Sequence, residues 1–185
     1  DRACCSGMAA CQWALRSLRL GYAGLAVAGG TDNMSRTPHL ARGLRWGIKL
    51  GSPKLEDPLF PLAYQRHSPV ALDAGEVALE HGIDRQMQDA WAARSQQRYQ
   101  AALEAGWPEE EIAPIQIAAR KGTLTLVERD DFPKPDTSIE GLARLPTVYG
   151  SPTVTAGNAP GLDAGAAVCV LATRARAEHL GCTPL

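Results

Sequence analysis

Apolar and polar positions alternate with different periods along the chain, and the periods divide it into elements. From Ser6 to Leu20, Met8, Ala9, Ala10, Cys11, Trp13, Ala14, Leu15 and Leu18 leave little polar face. That pattern predicts a helix covered on most sides, closed by Gly21, where a left-handed cap suits glycine. The run AGLAVA at 23–28 is short and bounded by glycines, which predicts a strand buried on both faces. Prolines and glycines scattered through Thr31–Ser68 predict an irregular surface excursion. Ala74–His81 reads as a short helix, and Asp84 as the N-cap of a longer one from Arg85 to Ala105, ended by Gly106 and Pro108.

On that longer helix Met87, Ala90, Trp91, Ala101, Ala102 and Ala105 share one face at helical spacing, while Gln86, Gln88, Asp89, Gln96 and Gln97 lie elsewhere. Arg94 and Arg98 interrupt the apolar face, so their stems are expected to cover it and their heads to reach water or a partner. IQIAARKGTLTLVE reads as a hairpin with Ile115 and Ile117 opposite Leu124 and Leu126. Thr137 with Glu140 makes a capping box for a helix to Leu145. After the small-residue stretch TVTAGNAPGLDAGAA, Ala166–Ala172 is a second apolar strand and Thr173–Leu180 a last helix. The expected fold class is α/β: a layered domain whose two buried strands are separated by a long insertion carrying its own helices and hairpin.

Composition narrows the function. The chain has 185 residues, 45% hydrophobic and 21% charged, with a formal net charge of -1. Such a balance argues against nucleic-acid partners or a polybasic membrane face, and no apolar run approaches a bilayer span. Cys4, Cys5, Cys11, Cys169 and Cys182 are an odd set without CxxC spacing, so neither a disulfide framework nor a structural metal site is expected. A reducing, cytoplasmic setting fits them. His39, His67, His81 and His179 fall in no catalytic pattern and read as surface residues.

The chemistry is sharpest at the start, DRACCSGM. The free amides and positive end of a helix favour thiolate over thiol, so a cysteine just before α-helical residues is a candidate nucleophile. Gly7 permits close packing beside it. The competing reading is two buried core thiols, since free cysteine is among the most buried residue types.

DRACCSGM, taken with AVAGGTDNMS and TVTAGNAPG…GAAVCVL, resembles the thiolase family (acetyl-CoA acetyltransferases and 3-ketoacyl-CoA thiolases). The family's nucleophile motif N-x-x-C-x-S-G falls on Cys4, with Asp1 in place of the asparagine. Its G-G-x-E-x-M-S signature corresponds to Gly29–Ser35, with Asp32 for glutamate. Its T-V-T-A-G-N-A-S-G signature corresponds to Thr153–Gly161, with Pro160 for serine.

The resemblance implies an incomplete N-terminal half-domain of a thiolase-like layered fold. Residues 1–36 would hold the nucleophile loop, helix and strand, 37–150 the inserted loop domain on the coenzyme A side, and 151–185 the return strand and helix. It implies acyl-CoA C-acyl transfer through an acyl-enzyme on Cys4. Coenzyme A thioesters would be substrates, with no permanently bound cofactor. Lys134, matching a family arginine, would face the nucleotide, and Ala156 and Gly157 the pantetheine arm. A homodimer or homotetramer is implied for the full-length protein. The family's catalytic histidine and second cysteine have no counterpart here, so the chain corresponds to the middle of a family member. Two rivals stand beside this reading: a ketoacyl synthase of the same superfamily, and a non-catalytic thiolase-like protein that binds acyl-CoA or lipid or serves as a scaffold.

Overall fold

Ser6–Arg19 forms helix α1, and Gly21 follows it with φ of 74°. Its packed positions include Ala10, Cys11, Ala14, Ser17 and Leu18, the i, i+3, i+4 stripe that small side chains make flat. The computed structural model describes residues 2–59, 68–118 and 122–183. They fall into two compact units, Asp1–Leu59 with Leu162–Leu185, and Phe60–Gly161.

In the first unit, α1 lies against strand β1 (Leu25–Asn33). A small ladder, β2 (Leu40–Ala41) with β3 (Leu55–Glu56), follows and is fastened by Arg42 Nε to Glu56 Oε2 at 2.6 Å. The second long strand, β6 (Ala164–Ala172), runs antiparallel to β1 with Ala28 opposite Cys169 and Gly29 opposite Val168. At Gly29 a Cβ atom would overlap the Val168 side chain and come within 2.6 Å of the Ala167 carbonyl oxygen, so the strands meet here only because position 29 has none. Helix α5 (Arg174–His179) is capped by Thr173, whose Oγ1 accepts from Arg176 N–H.

The apolar runs predicted to be buried are not. Leu18 and Ala28 are buried, but Val168 and Val170 remain 74% and 67% exposed, and Trp13 68%. A two-stranded ribbon with one helix on it covers few of its side chains, whatever their hydropathy. Strand β1 also runs on through Gly29-Gly30 to Asn33, past the predicted end at Ala28.

The second unit contains helix α2 (Val70–Glu80), four residues longer at its start than its predicted beginning at Ala74 because Pro69 supplies the extended cap. Helix α3 (Arg85–Glu104) begins as expected, with Asp84 Oδ1 accepting from Met87 N–H at 2.8 Å. Its packed face is not the predicted one. Met87 and Trp91 are 54% and 66% exposed, whereas Asp89 and Ala93 are buried. The Arg94 guanidinium sits 4.1 Å over the Trp91 ring, so this arginine does cover apolar surface.

Strands β4 (Ile115–Ala118) and β5 (Leu124–Val127) form the predicted hairpin with a different register. Ile115 pairs with Val127 and Ile117 with Thr125, so the isoleucines do not oppose Leu124 and Leu126. Helix α4 (Ile139–Ala143) is capped by Ser138, which accepts from Gly141 N–H at 3.0 Å. Thr137, the predicted cap, is engaged elsewhere: its hydroxyl donates to the Lys134 carbonyl at 2.7 Å. No described helix is long and apolar enough to cross a membrane.

Candidate functional site

Cys4 occupies a single 3-10 turn, Ala3–Cys5, that leads straight into α1. The turn is drawn tight by Cys5 N–H to the Arg2 carbonyl at 3.1 Å. Ser6 braces it from inside, its Oγ accepting from Arg2 N–H and donating to the Ala3 carbonyl, each at 2.8 Å. Ala3 is held at φ of 48°, a left-handed conformation costing an alanine roughly 1–2 kcal/mol. The residue immediately before the candidate nucleophile is therefore strained, as positions beside reactive groups often are. Cys5 is the N-cap residue of α1 and makes no side-chain capping bond. Both thiols are exposed.

The other sequence-predicted residues meet in the second unit. Lys134, Ala156 and Gly157 line one pocket of about 330 Å³, together with Gln96, Phe132 and Thr137. The lysine belongs to a turn in which Thr137 N–H donates to its carbonyl at 3.1 Å, while its own N–H donates to Gln96 Oε1 at 2.8 Å. The backbone is held on both sides, and Nζ makes a long contact of 3.5 Å to the Asp131 carbonyl. An ammonium held so weakly is ready for a stronger acceptor.

The wall opposite is the loop Thr153–Asn158. It follows a turn in which Tyr149 and Gly150 both have positive φ, 52° and 76°, closed by Ser151 N–H to the Val148 carbonyl at 2.9 Å. Within the loop Asn158 Oδ1 accepts from Thr155 N–H at 2.8 Å, and Thr155 Oγ1 accepts from Gly157 N–H at 3.2 Å. A Cβ at Gly157 would overlap the side chains of Leu142 and Leu145. Glycine is needed there to let those leucines close the pocket's floor, a packing reason beyond room for a ligand.

Sequence reasoning missed what holds this loop in place. Asp89, 2% exposed, accepts from Asn158 Nδ2 at 2.9 Å and from Arg85 Nε at 2.7 Å. Arg85 also donates through Nη2 to the carbonyls of Leu142 and Leu145, at 2.6 and 3.1 Å. One i, i+4 pair on α3 thus fastens both pocket walls. The signal was present as Arg85 and Asp89 at helical spacing, but Asp89 reads as part of the solvent face.

Elsewhere, Tyr99 donates to Asp130 Oδ2 at 2.8 Å, and this bond, helped by desolvation and the carboxylate charge, raises the phenol above its ordinary range. His39, His81 and His179 are exposed; His67 lies outside the described residues. Among the described residues no cluster of histidine, cysteine or carboxylate side chains could hold a metal ion.

Residues 1–175 match the family model described as the thiolase N-terminal domain. A beta-ketoadipyl-CoA thiolase of Pseudomonas aeruginosa is 44% identical, covering 100% of this chain and 48% of its own. An acetyl-CoA acetyltransferase of Chromobacterium violaceum is 38% identical, over 98% of this chain and 47% of its own. The crystal structure of the Bacillus anthracis acetyl-CoA acetyltransferase superposes with a TM-score of 0.87 at 32% identity, covering 98% of this chain and 47% of that one. Human mitochondrial 3-ketoacyl-CoA thiolase in complex with CoA superposes with a TM-score of 0.84 at 36% identity, covering 98% and 46%. The chain spans about half the length of the curated relatives it matches.

Proposed function

Since this chain belongs to the thiolase family through its N-terminal domain, we propose that it serves acyl-CoA C-acyl transfer with Cys4 as the acyl-accepting nucleophile. The observation that carries the reading is the exposed Cys4 thiol on a strained turn at the head of α1. As thiolate, Cys4 Sγ attacks the thioester carbonyl of an acyl-CoA. The tetrahedral oxyanion collapses, the C–S bond to coenzyme A breaks, coenzyme A leaves as its thiolate and takes a proton from water, and the acyl group stays on Cys4 sulfur. A second acyl-CoA, deprotonated at its α-carbon, then takes the acyl group in condensation; thiolysis is the same sequence reversed. Both steps develop an oxyanion that needs fixed donors. The base for the second step is not among this chain's candidate residues, so the chain of 185 residues alone is expected to form the acyl-enzyme without completing turnover.

Coenzyme A thioesters are the proposed substrates, and no permanently bound cofactor is invoked. Lys134 would hold a phosphate of the nucleotide as a point charge, without the bidentate fork of an arginine. Ala156 and Gly157 would let the pantetheine arm run along the backbone. Residues 1–36 and 151–185 are read as half-domain, 37–150 as the insertion on the coenzyme A side. A homodimer or homotetramer in a reducing, cytoplasmic compartment completes the proposal; the five free cysteines support the compartment.

The test is incubation with acetyl-CoA, acid quench and peptide mass spectrometry. One acetyl group on Cys4, absent in Cys4→Ser and retained in Cys5→Ser, is the expected result. Acetylation of Cys5 alone, or of neither thiol, would overturn it.

A further inference from the structure

Two cysteines that the proposed reaction does not use are brought together by the first unit. Cys11 on α1 and Cys169 on β6 stand 158 positions apart in the chain, yet their Sγ atoms lie 3.6 Å from each other. Cys11 is half-buried and Cys169 exposed. Cys169 also faces the carbonyl of Ala28, its partner across the ribbon, at 3.5 Å.

We propose that Cys11 and Cys169 form a redox modification site, closing to a disulfide when the protein meets hydrogen peroxide and reopening with a dithiol. A disulfide places its sulfurs about 2.05 Å apart, so the pair must approach by roughly 1.5 Å. Both cysteines line a groove of about 1000 Å³ beside Gly29, Gly30 and Gly165, which carry no side chain. The Cys169 thiol is held above its ordinary range, first by the hydrogen bond to Cys11, then by desolvation and by the charge Cys11 would carry. At rest Cys169 is therefore held as the thiol.

The chemistry balances with peroxide as the named oxidant. One sulfur, as thiolate, attacks a peroxide oxygen and breaks the O–O bond; it becomes a sulfenic acid, and the hydroxide released takes a proton to leave as water. The second sulfur attacks the sulfenic sulfur, forms the S–S bond and expels the sulfenic oxygen as a second water. Two thiols are oxidised by two electrons and one peroxide is reduced to two waters. The closed bond ties α1, which starts at the Cys4 turn, to the strand beneath it. The inference stands on geometry alone and does not require the proposed acyl transfer.

The experiment uses the full chain, reduced, freed of reductant and titrated with stoichiometric hydrogen peroxide at low protein concentration. Met8 separates Cys4 and Cys5 from Cys11, and Arg174 and Arg176 separate Cys169 from Cys182. Cyanogen bromide followed by trypsin under non-reducing conditions therefore assigns each bond. Expected are a linked pair of peptides containing Cys11 and Cys169, loss of two titratable thiols per chain, and recovery of both with dithiothreitol. In Cys169→Ser the link disappears and dimedone traps Cys11 as sulfenic acid. The wild-type mapping decides the matter even if that variant folds poorly. Links that involve Cys4, Cys5 or Cys182 instead, or Cys11 and Cys169 still alkylated as free thiols after the peroxide is consumed, would overturn the proposal.

Discussion

Replacing Asp89 with alanine probes how the second unit keeps its pocket. Asp89 is 2% exposed and accepts two hydrogen bonds, from Arg85 Nε at 2.7 Å and Asn158 Nδ2 at 2.9 Å. Bonds to a charged group contribute about 1.5–3 kcal/mol each, which sets a ceiling near 6 kcal/mol by the same principle. The deletion falls short of that ceiling. The Arg85 side chain is 24% exposed and keeps the Leu142 and Leu145 carbonyls, and Asn158 Nδ2 keeps the Thr153 carbonyl at 3.2 Å. A loss of about 3 kcal/mol is therefore expected, at the low end for breaking a buried pair from one side. Asp89→Asn keeps the shape but turns an amide N–H₂ toward a donor, so about 2 kcal/mol is expected. Urea denaturation measures both: the midpoint should fall while the slope stays fixed, because the surface exposed on unfolding is unchanged. A double-mutant cycle with Asn158→Ala should return a coupling of about 1 kcal/mol or more. If Asp89→Ala costs under about 1 kcal/mol, the pair behaves as a surface salt bridge and the reasoning fails.

Three further outcomes follow from the same geometry. Lys134→Ala should raise Kd for coenzyme A about tenfold by isothermal titration calorimetry, one charge-assisted bond at an exposed site; Lys134→Arg should restore it, and an unchanged Kd for Lys134→Ala would remove Lys134 from the nucleotide. Gly157→Ala should destabilise the second unit by about 1–3 kcal/mol, since its methyl overpacks Leu142 and Leu145; a melting curve identical to wild type would show the leucines free to yield. Tyr99 titrates above its ordinary 10.0 because Asp130 holds its proton, so the stability this bond contributes is present below pH 10.0 and lost as pH rises through the folded value. Asp130→Asn should move the phenolate absorbance midpoint of Tyr99, identified against Tyr99→Phe, downward; an unmoved midpoint would refute the bond.

Local signals were legible where one residue decides the outcome. Asp84 starts α3 and Gly21 follows α1 because capping needs one side chain or one positive φ. They were misread where two neighbours compete. Thr137 and Ser138 both offer a hydroxyl to α4, and the use of Thr137 on the Lys134 carbonyl three residues back leaves the cap to Ser138. The hairpin was evident, but alternation alone allows more than one register for β4 against β5.

The candidate site divides along the same line. A cysteine pair abutting a helix start was legible as a candidate nucleophile, but the choice of Cys4 over Cys5 came from the resemblance. Lys134, Ala156 and Gly157 came from a resemblance, and the pocket they share was not visible in spacing. The Asp89–Asn158 bond joins residues 69 positions apart, and hydropathy sends a helical aspartate to solvent when its partner is that distant. Burial of β1 and β6 was overestimated because hydropathy states what a strand would bury, not what the chain supplies to bury it.

Strand β6 gives the molecule a particular way of being lost. Ala166–Ala172 carries no charge and no proline, and its valines stand in water. Apolar, β-prone, uncharged windows of this length on an open edge are templates for another strand. For this chain of 185 residues by itself, solubility at high expression would then be limited by copies of β6 adding edge to edge while each molecule is still folded. Stabilising the fold would not relieve it; placing a gatekeeper charge beside the window would.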